Sequence, residues 1–248
     1  KKELFLEDVF LYPDLRDLNP NNIKEKNVYE SIINSDFLEK IEGNSMQSII
    51  IGEEKSGKSA LCKSLFLKFF SIGYTPIYIN GEEIKVKKID NFNDLVEKHC
   101  KIQYENNPID LYRQIPKEKK CIIIDDINKS KLNNKSQYEL IVEICSLYNN
   151  VLVTTNNRFQ FEDINLKKEN TVFDRIKRYE INEFGVILRR KLLEKWNKLG
   201  QENYIQLDDL EIKNSNSEKI IDAIIGRNYV PAYPIYLLTI LQSIEVGS

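Results

Sequence analysis

Short apolar, β-branched runs alternate with stretches of helical periodicity through the middle of this 248-residue chain. Strands are predicted at 48–52, 75–80, 121–125, 151–155 and 176–181. CIIID and VLVTT are apolar at successive positions, the pattern of strands covered on both faces. Helical patterns between them require crossovers, so the expected architecture is α/β: a mostly parallel five-stranded sheet in three layers. From about Glu183 the alternation stops and only helices are predicted, over 183–199, 216–226 and 232–244, which reads as a small all-helical lid domain. Ahead of the sheet, residues 1–46 form a lead segment: apolar LFLEDVFLYPDL, the polar run NPNNIKEKN, then a predicted helix from about Val28 to Ile41. The expected divisions are therefore 1–46, 47–182 and 183–248.

The loop after the first strand carries the chemistry. Residues 52–59 read GEEKSGKS, an uninterrupted GxxxxGKS in a chain with only 9 Gly, set between a buried strand and a helix opening at Ser59. Gly52 and Gly57 permit the backbone angles that turn successive N–H groups toward phosphate oxygens at a helix N-terminus. Glu53, Glu54, Lys55 and Ser56 complete the loop and Ala60 continues it into the helix. Lys58 is placed to meet the β and γ phosphates, and the Ser59 hydroxyl to ligate Mg²⁺. Residues 47–182 are accordingly predicted to be a three-layer P-loop NTPase domain.

A triphosphate site needs carboxylates, and the acids ending CIIIDD supply them. Asp125 is the candidate to hold Mg²⁺ through water, and Asp126 to orient or deprotonate a hydrolytic water. Asn156, at the tip of VLVTT, is either a γ-phosphate sensor or part of an ordinary Asn-rich turn. Arg175 and Arg178, before the fifth strand, are either residues that reach a neighbouring subunit's γ-phosphate or surface salt-bridge partners. Arg189 and Arg190 read as the solvated face of an amphipathic helix. Asn128-Lys129-Ser130-Lys131 lacks the Asp of a guanine-recognition NKxD motif, so ATP is expected over GTP.

Composition narrows the classes. Acids and bases nearly cancel, 38 against 36, giving a net charge of −2 and no direct nucleic-acid signal. Cys62, Cys100, Cys121 and Cys145 show no CxxC spacing and read as buried, reduced thiols. The single histidine, His99, excludes a multi-histidine metal site and is expected on a solvated helix surface. With no long apolar span and no N-terminal signal pattern, a soluble, cytoplasmic protein that does not enter membranes is expected.

Taken in order, GEEKSGKS, CIIIDD, VLVTTNN and RNYVPAYPIYLLTIL resemble the core of a STAND-type ATPase, the AAA-related class that includes NACHT and NB-ARC modules. With the lead FLEDVFLYPDL, the chain looks closest to bacterial defence members. The resemblance implies an ATP/ADP and Mg²⁺ switch that self-associates through its NTPase domain, with effector and sensor regions lying outside this chain. It also implies a proline packed on adenine, Pro234 by best match and Pro231 second, and a lead segment closing over the base. There Tyr12 either stacks or belongs to the core. Many members carry Arg where this chain has Asn156; Arg158 is the candidate substitute. A sensing histidine from a winged-helix domain has no counterpart here, so turnover is expected to be slow in this chain by itself. The alternatives are a nucleotide-binding scaffold without turnover and a P-loop small-molecule kinase.

Overall fold

Along the strand that ends in the paired acids, side chains alternate between two cores. In the computed structural model, which describes residues 4–18, 32–39, 45–85, 89–105, 108–156, 175–199, 207–226 and 230–247, this strand is β5 (Lys120–Asp125). Ile122 and Ile124 join one buried cluster, Cys121 and Ile123 the other. The first cluster packs under Phe92, Val96 and Cys100 of α3 (Ile89–Gln103) and Leu140, Ile141 and Ile144 of α5 (Asn134–Leu147). The second packs under Leu61, Cys62, Leu65 and Phe69 of α2 (Lys58–Ser71). The result is helices on both faces of one sheet, as the continuous apolar runs required. The remaining helix of this region is α4 (Pro108–Gln114), following α3.

Among the described residues the sheet has seven strands in the order β2-β1-β7-β3-β6-β5-β4, not the five expected. The five predicted strands form its parallel part: β3 (Gln47–Ile51), β4 (Thr75–Asn80), β5, β6 (Asn150–Thr155) and β7 (Lys177–Ile181). The added pair comes from the lead segment. β1 (Asp14–Asp17) runs antiparallel to β7 and β2 (Ile32–Asn34) antiparallel to β1. β2 and the 3₁₀ turn Ser35–Glu39 replace the described part of the predicted helix 28–41. The reason is local: Leu15 anchors β1 with no exposure, and Asn34 Nδ2 then donates to Tyr12 O at 2.9 Å and Asp14 Oδ1 at 3.0 Å. The polar run at 19–27, and Asn157 and Arg158, lie outside the described residues.

His99 corrects a second expectation. It is 6 % exposed, not solvated, with Nε2 3.2 Å from Glu83 Oε2 and Nδ1 3.3 Å from Gln103 Nε2. Gln103 in turn accepts the Tyr78 N–H at 3.0 Å and donates to the Tyr78 carbonyl, while Tyr104 OH donates to Pro76 O at 2.7 Å. Side chains at the end of α3 thereby occupy backbone groups of β4, the outermost strand, which would otherwise be free to pair with another chain.

The helices α6 (Val186–Lys198), α7 (Leu207–Ile225) and α8 (Pro234–Gly247) build a third core around Phe184, Leu188, Leu192, Leu237 and Leu241. α7 starts earlier than predicted because its polar first half is held through Asn197 Nδ2, which donates to Asn214 Oδ1 at 2.7 Å. Val9 and Leu11 pack against this core from the lead segment, beside the short helix α1 (Leu6–Val9). Lys195 Nζ donates to Glu7 O at 3.1 Å and Phe10 O at 2.9 Å. Arg189, expected on the solvated face, is 17 % exposed and bridges α6 to Asp222 of α7 at 3.0 Å; Arg190 stays exposed and pairs with Glu218. All four cysteines are buried and free. No helix among the described residues is long and apolar enough to cross a membrane.

Candidate functional site

β3 ends at Ile51 and α2 begins at Lys58, so the GEEKSGKS loop lies at the carboxyl edge of the sheet. Two of its residues have positive φ, Lys55 at 65° and Gly57 at 104°. Such left-handed residues turn neighbouring N–H groups to one side and form an anion-binding concavity. Gly57 is also the N-cap of α2 and offers no side chain to it, so the first helical N–H groups face the loop's concave side uncapped. Gly52 is required by close approach: a Cβ there would sit 2.5 Å from Ser56 Oγ.

Lys58 is 6 % exposed, and its ammonium donates to the carbonyls of Gly52 and Glu53, both at 2.9 Å. Asp126 Oδ1 lies 3.4 Å away. The other Asp126 oxygen is 3.0 Å from Lys129 Nζ, and this hydrogen bond and charge raise the Lys129 pKa. Asp126 is therefore held between two ammonium groups. Its backbone is left-handed, φ 54°, at the start of a 3₁₀ turn, Ile127–Lys129.

Asp125 lies beneath, 3 % exposed, with a donor on each oxygen: Thr154 Oγ1 on Oδ1 and Tyr78 OH on Oδ2, both at 2.7 Å. Burial, then the bond to Asp125, pushes the Tyr78 hydroxyl far above its ordinary range. Thr154 Oγ1 also accepts the Asp126 N–H at 2.8 Å, so one threonine on β6 fixes both acids. The sheet order makes this possible, since β6 lies between the loop strand β3 and the acid strand β5. At the tip of β6, Thr155 O accepts the Gly52 N–H at 3.0 Å, and Asn128 Oδ1 accepts the Asn156 N–H at 3.0 Å.

Gly81 supports the same turn from β4. A Cβ at this position would lie 2.1 Å from the backbone oxygen of Asp126 and 2.6 Å from its carbonyl carbon, neither of which can swing aside. Gly81→Ala is expected to lower stability by about 1–3 kcal/mol, the usual range for overpacking. A urea midpoint equal to the parent's would show that the turn tolerates the methyl.

These groups surround a cleft of about 440 Å³ lined by Glu54, Lys55, Gly57, Lys58, Ser59, Ala60, Asp126, Lys129 and Ile235. Beside it is an apolar cavity of about 210 Å³, which shares Lys55, Gly57, Ala60 and Ile235 with the cleft. Its other walls are Ser56 of the loop, Leu6, Val9, Phe10, Leu11 and Pro13 of the lead segment, and Phe184, Pro234 and Leu238 of the helical unit. The Lys55 ammonium also lies 5.5 Å from the centroid of the Tyr236 ring on α8.

Of the predicted site residues, Glu54, Lys55, Ser56, Gly57, Lys58, Ser59, Ala60, Asp126 and Pro234 line the cleft or the cavity. Gly52 and Glu53 hold Lys58 through their carbonyls. Asp125 and Asn156 are adjacent but line neither space. Tyr12 belongs to the core: it packs edge-on against Phe10, its hydroxyl is 3.4 Å from Ser64 Oγ, and burial pushes its pKa up to about 12. Arg175 is exposed, Arg178 pairs in register with Ile49 within the sheet, and neither lines the cleft. The sequence reading missed Tyr78, Thr154, Asn128, Lys129 and Ile235. Lys129 alone had a local signal, lying one turn beyond Asp126.

No family model and no curated protein matches this chain. Among solved structures it is similar to AMPPCP-bound DnaA from Aquifex aeolicus, with a TM-score of 0.41 and 18 % identity over 75 % of this chain and 57 % of that one. A replication initiator DnaA bound to AMPPCP and single-stranded DNA aligns with a TM-score of 0.40 and 19 % identity, over 75 % of this chain and 57 % of that one. A Thermotoga maritima RuvB mutant aligns with a TM-score of 0.39 and 10 % identity, over 81 % of this chain and 63 % of that one. The chain thus spans less than two thirds of the length of each.

Proposed function

We propose that this chain binds ATP and ADP and works as a STAND-type switch, the nucleotide-dependent core of a larger bacterial signalling or antiphage defence protein. One observation carries the reading: a lysine-lined cleft at a P-loop shares four lining residues with an apolar cavity walled by the lead segment, the loop and the helical unit. Phosphates fit the cleft, where uncapped N–H groups, Lys58 and the dipole of α2 favour negative charge. A purine fits the cavity, with Pro234 and Leu238 against its face. Because three separate parts of the chain wall the cavity, the occupant alters how the helical unit, the lid in this reading, packs on the sheet. Self-association in the ATP state, and a resting state holding ADP, follow as parts of the same proposal.

The residues present fit Mg²⁺. Mg²⁺ takes few protein ligands and completes its shell with phosphate oxygens and water, and the Ser59 hydroxyl and the Asp126 carboxylate stand on the cleft wall. Ser59 would hold it directly, and Asp125, buried with both oxygens already bonded, would act on it as a fixed negative charge beneath the cleft; when bound, the ion neutralises triphosphate charge. Hydrolysis then joins a water oxygen to the γ-phosphorus as the bond to the ADP oxygen breaks. Asp126 orients that water and Lys58 holds the phosphates.

Calorimetry with Mg²⁺ tests the reading. ATP and ADP are expected to bind one to one, with GTP at least about tenfold weaker, because guanine would bring an N1–H and a carbonyl that adenine lacks into an apolar cavity without partners. Absence of binding by both adenine nucleotides overturns the proposal.

A further inference from the structure

We propose that Lys129 reads the γ-phosphate in cis, exchanging its ion pair with Asp126 for the terminal phosphate and so making the site distinguish ATP from ADP. This rests on the nucleotide-binding reading above. Lys129 lines the same cleft as Lys58 and Ser59, and its half-exposed ammonium sits 3.0 Å from Asp126 Oδ2. Lys58 is on the opposite oxygen at 3.4 Å, so two cations share one carboxylate at the end of the cleft. The Asp125 and Glu82 carboxylates also act on Lys129, but its direct partner is Asp126, and a half-exposed pair is weak enough to be exchanged for a multiply charged phosphate at little cost.

The backbone places Lys129 for this exchange. Its N–H donates to Asp126 O at 2.9 Å, closing the 3₁₀ turn. The neighbouring Asn128 accepts from Thr155 Oγ1 at 3.3 Å and from the Asn156 N–H at 3.0 Å, which ties the turn to the tip of β6. The ammonium thus stands on a fixed turn with a mobile four-carbon reach. A diphosphate ends short of it, leaving Asp126 clamped by lysine. A triphosphate draws Lys129 away and leaves an Asp126 oxygen open to water. Recognition of the third phosphate and release of the water-orienting carboxylate become one event.

The test is calorimetric affinity for ADP and for a non-hydrolysable ATP analogue, with Mg²⁺, in the parent, Lys129→Met and Lys129→Arg. Lys135→Met, at an exposed position of α5, is the control. Lys129→Met is expected to weaken the triphosphate analogue about tenfold or more while ADP stays within about twofold, and Lys129→Arg to recover most of the loss. Equal losses for both nucleotides, or none, overturn the role of Lys129 while leaving nucleotide binding intact. A parent that binds neither nucleotide overturns both.

Discussion

Lys58→Ala should abolish most of the affinity for both ATP and ADP. The ammonium is 6 % exposed and held by two backbone carbonyls and one carboxylate, so it trades these partners for phosphate oxygens when nucleotide enters. The trade favours phosphate, because an ammonium–phosphate bond is charged on both sides and adds a Coulombic attraction that the two neutral carbonyls lack. Loss of the lysine also leaves Asp126 close to the phosphates with only Lys129 to offset its charge. The expected weakening is at least tenfold and roughly a hundredfold at the upper end. Unlike Lys129→Met, the effect should fall on ADP as well, since Lys58 serves the β-phosphate. Calorimetry on a variant whose circular dichroism matches the parent decides the matter: unchanged affinity for both nucleotides would remove Lys58 from the site.

The chain announced the parts of this site that are contiguous and hid those assembled by the sheet. GEEKSGKS and CIIIDD are local runs, and β5 and β6 are buried on both faces, so each was legible without knowing its neighbours. Tyr78 and Thr154 reach Asp125 only because β4 and β6 flank β5, an order that no single segment specifies. β1 and β2 were missed because an antiparallel edge needs backbone pairing and one anchor, Leu15, rather than an apolar run. His99 was misread for a different reason. Phe92, Val96, His99 and Gln103 recur at helical spacing, and the charged residues between them masked a stripe that faces inward. The apolar cavity was partly legible: Pro234 and the lead segment came from the resemblance, but the lining residues there are Phe10, Leu11 and Pro13 rather than Tyr12. The Tyr12 side chain turns instead toward Ser64 of α2, its hydroxyl 3.4 Å from Ser64 Oγ.

Asp126→Asn should leave ATP binding intact and slow phosphate release in a single turnover by about 10²–10⁴, the range for losing a positioned base. Asparagine matches the side chain in shape and tolerates the left-handed backbone at φ 54°, and the backbone N–H bond to Thr154 Oγ1 needs no carboxylate. The turn carrying Lys129 therefore persists. What changes is charge: the negative group between Lys58 and Lys129 disappears, so both ammoniums face the phosphates unopposed. ATP affinity should hold or rise, which separates this variant from Lys58→Ala, where binding itself fails. Tight ATP with trapped, unhydrolysed nucleotide is the result expected of a switch whose reset depends on Asp126. Single-turnover rates equal to the parent's would instead make the protein a scaffold whose slow hydrolysis, if any, owes nothing to this carboxylate. Transfer of phosphate to an added co-substrate would make it a kinase, with Asp126 as base for a hydroxyl rather than for water.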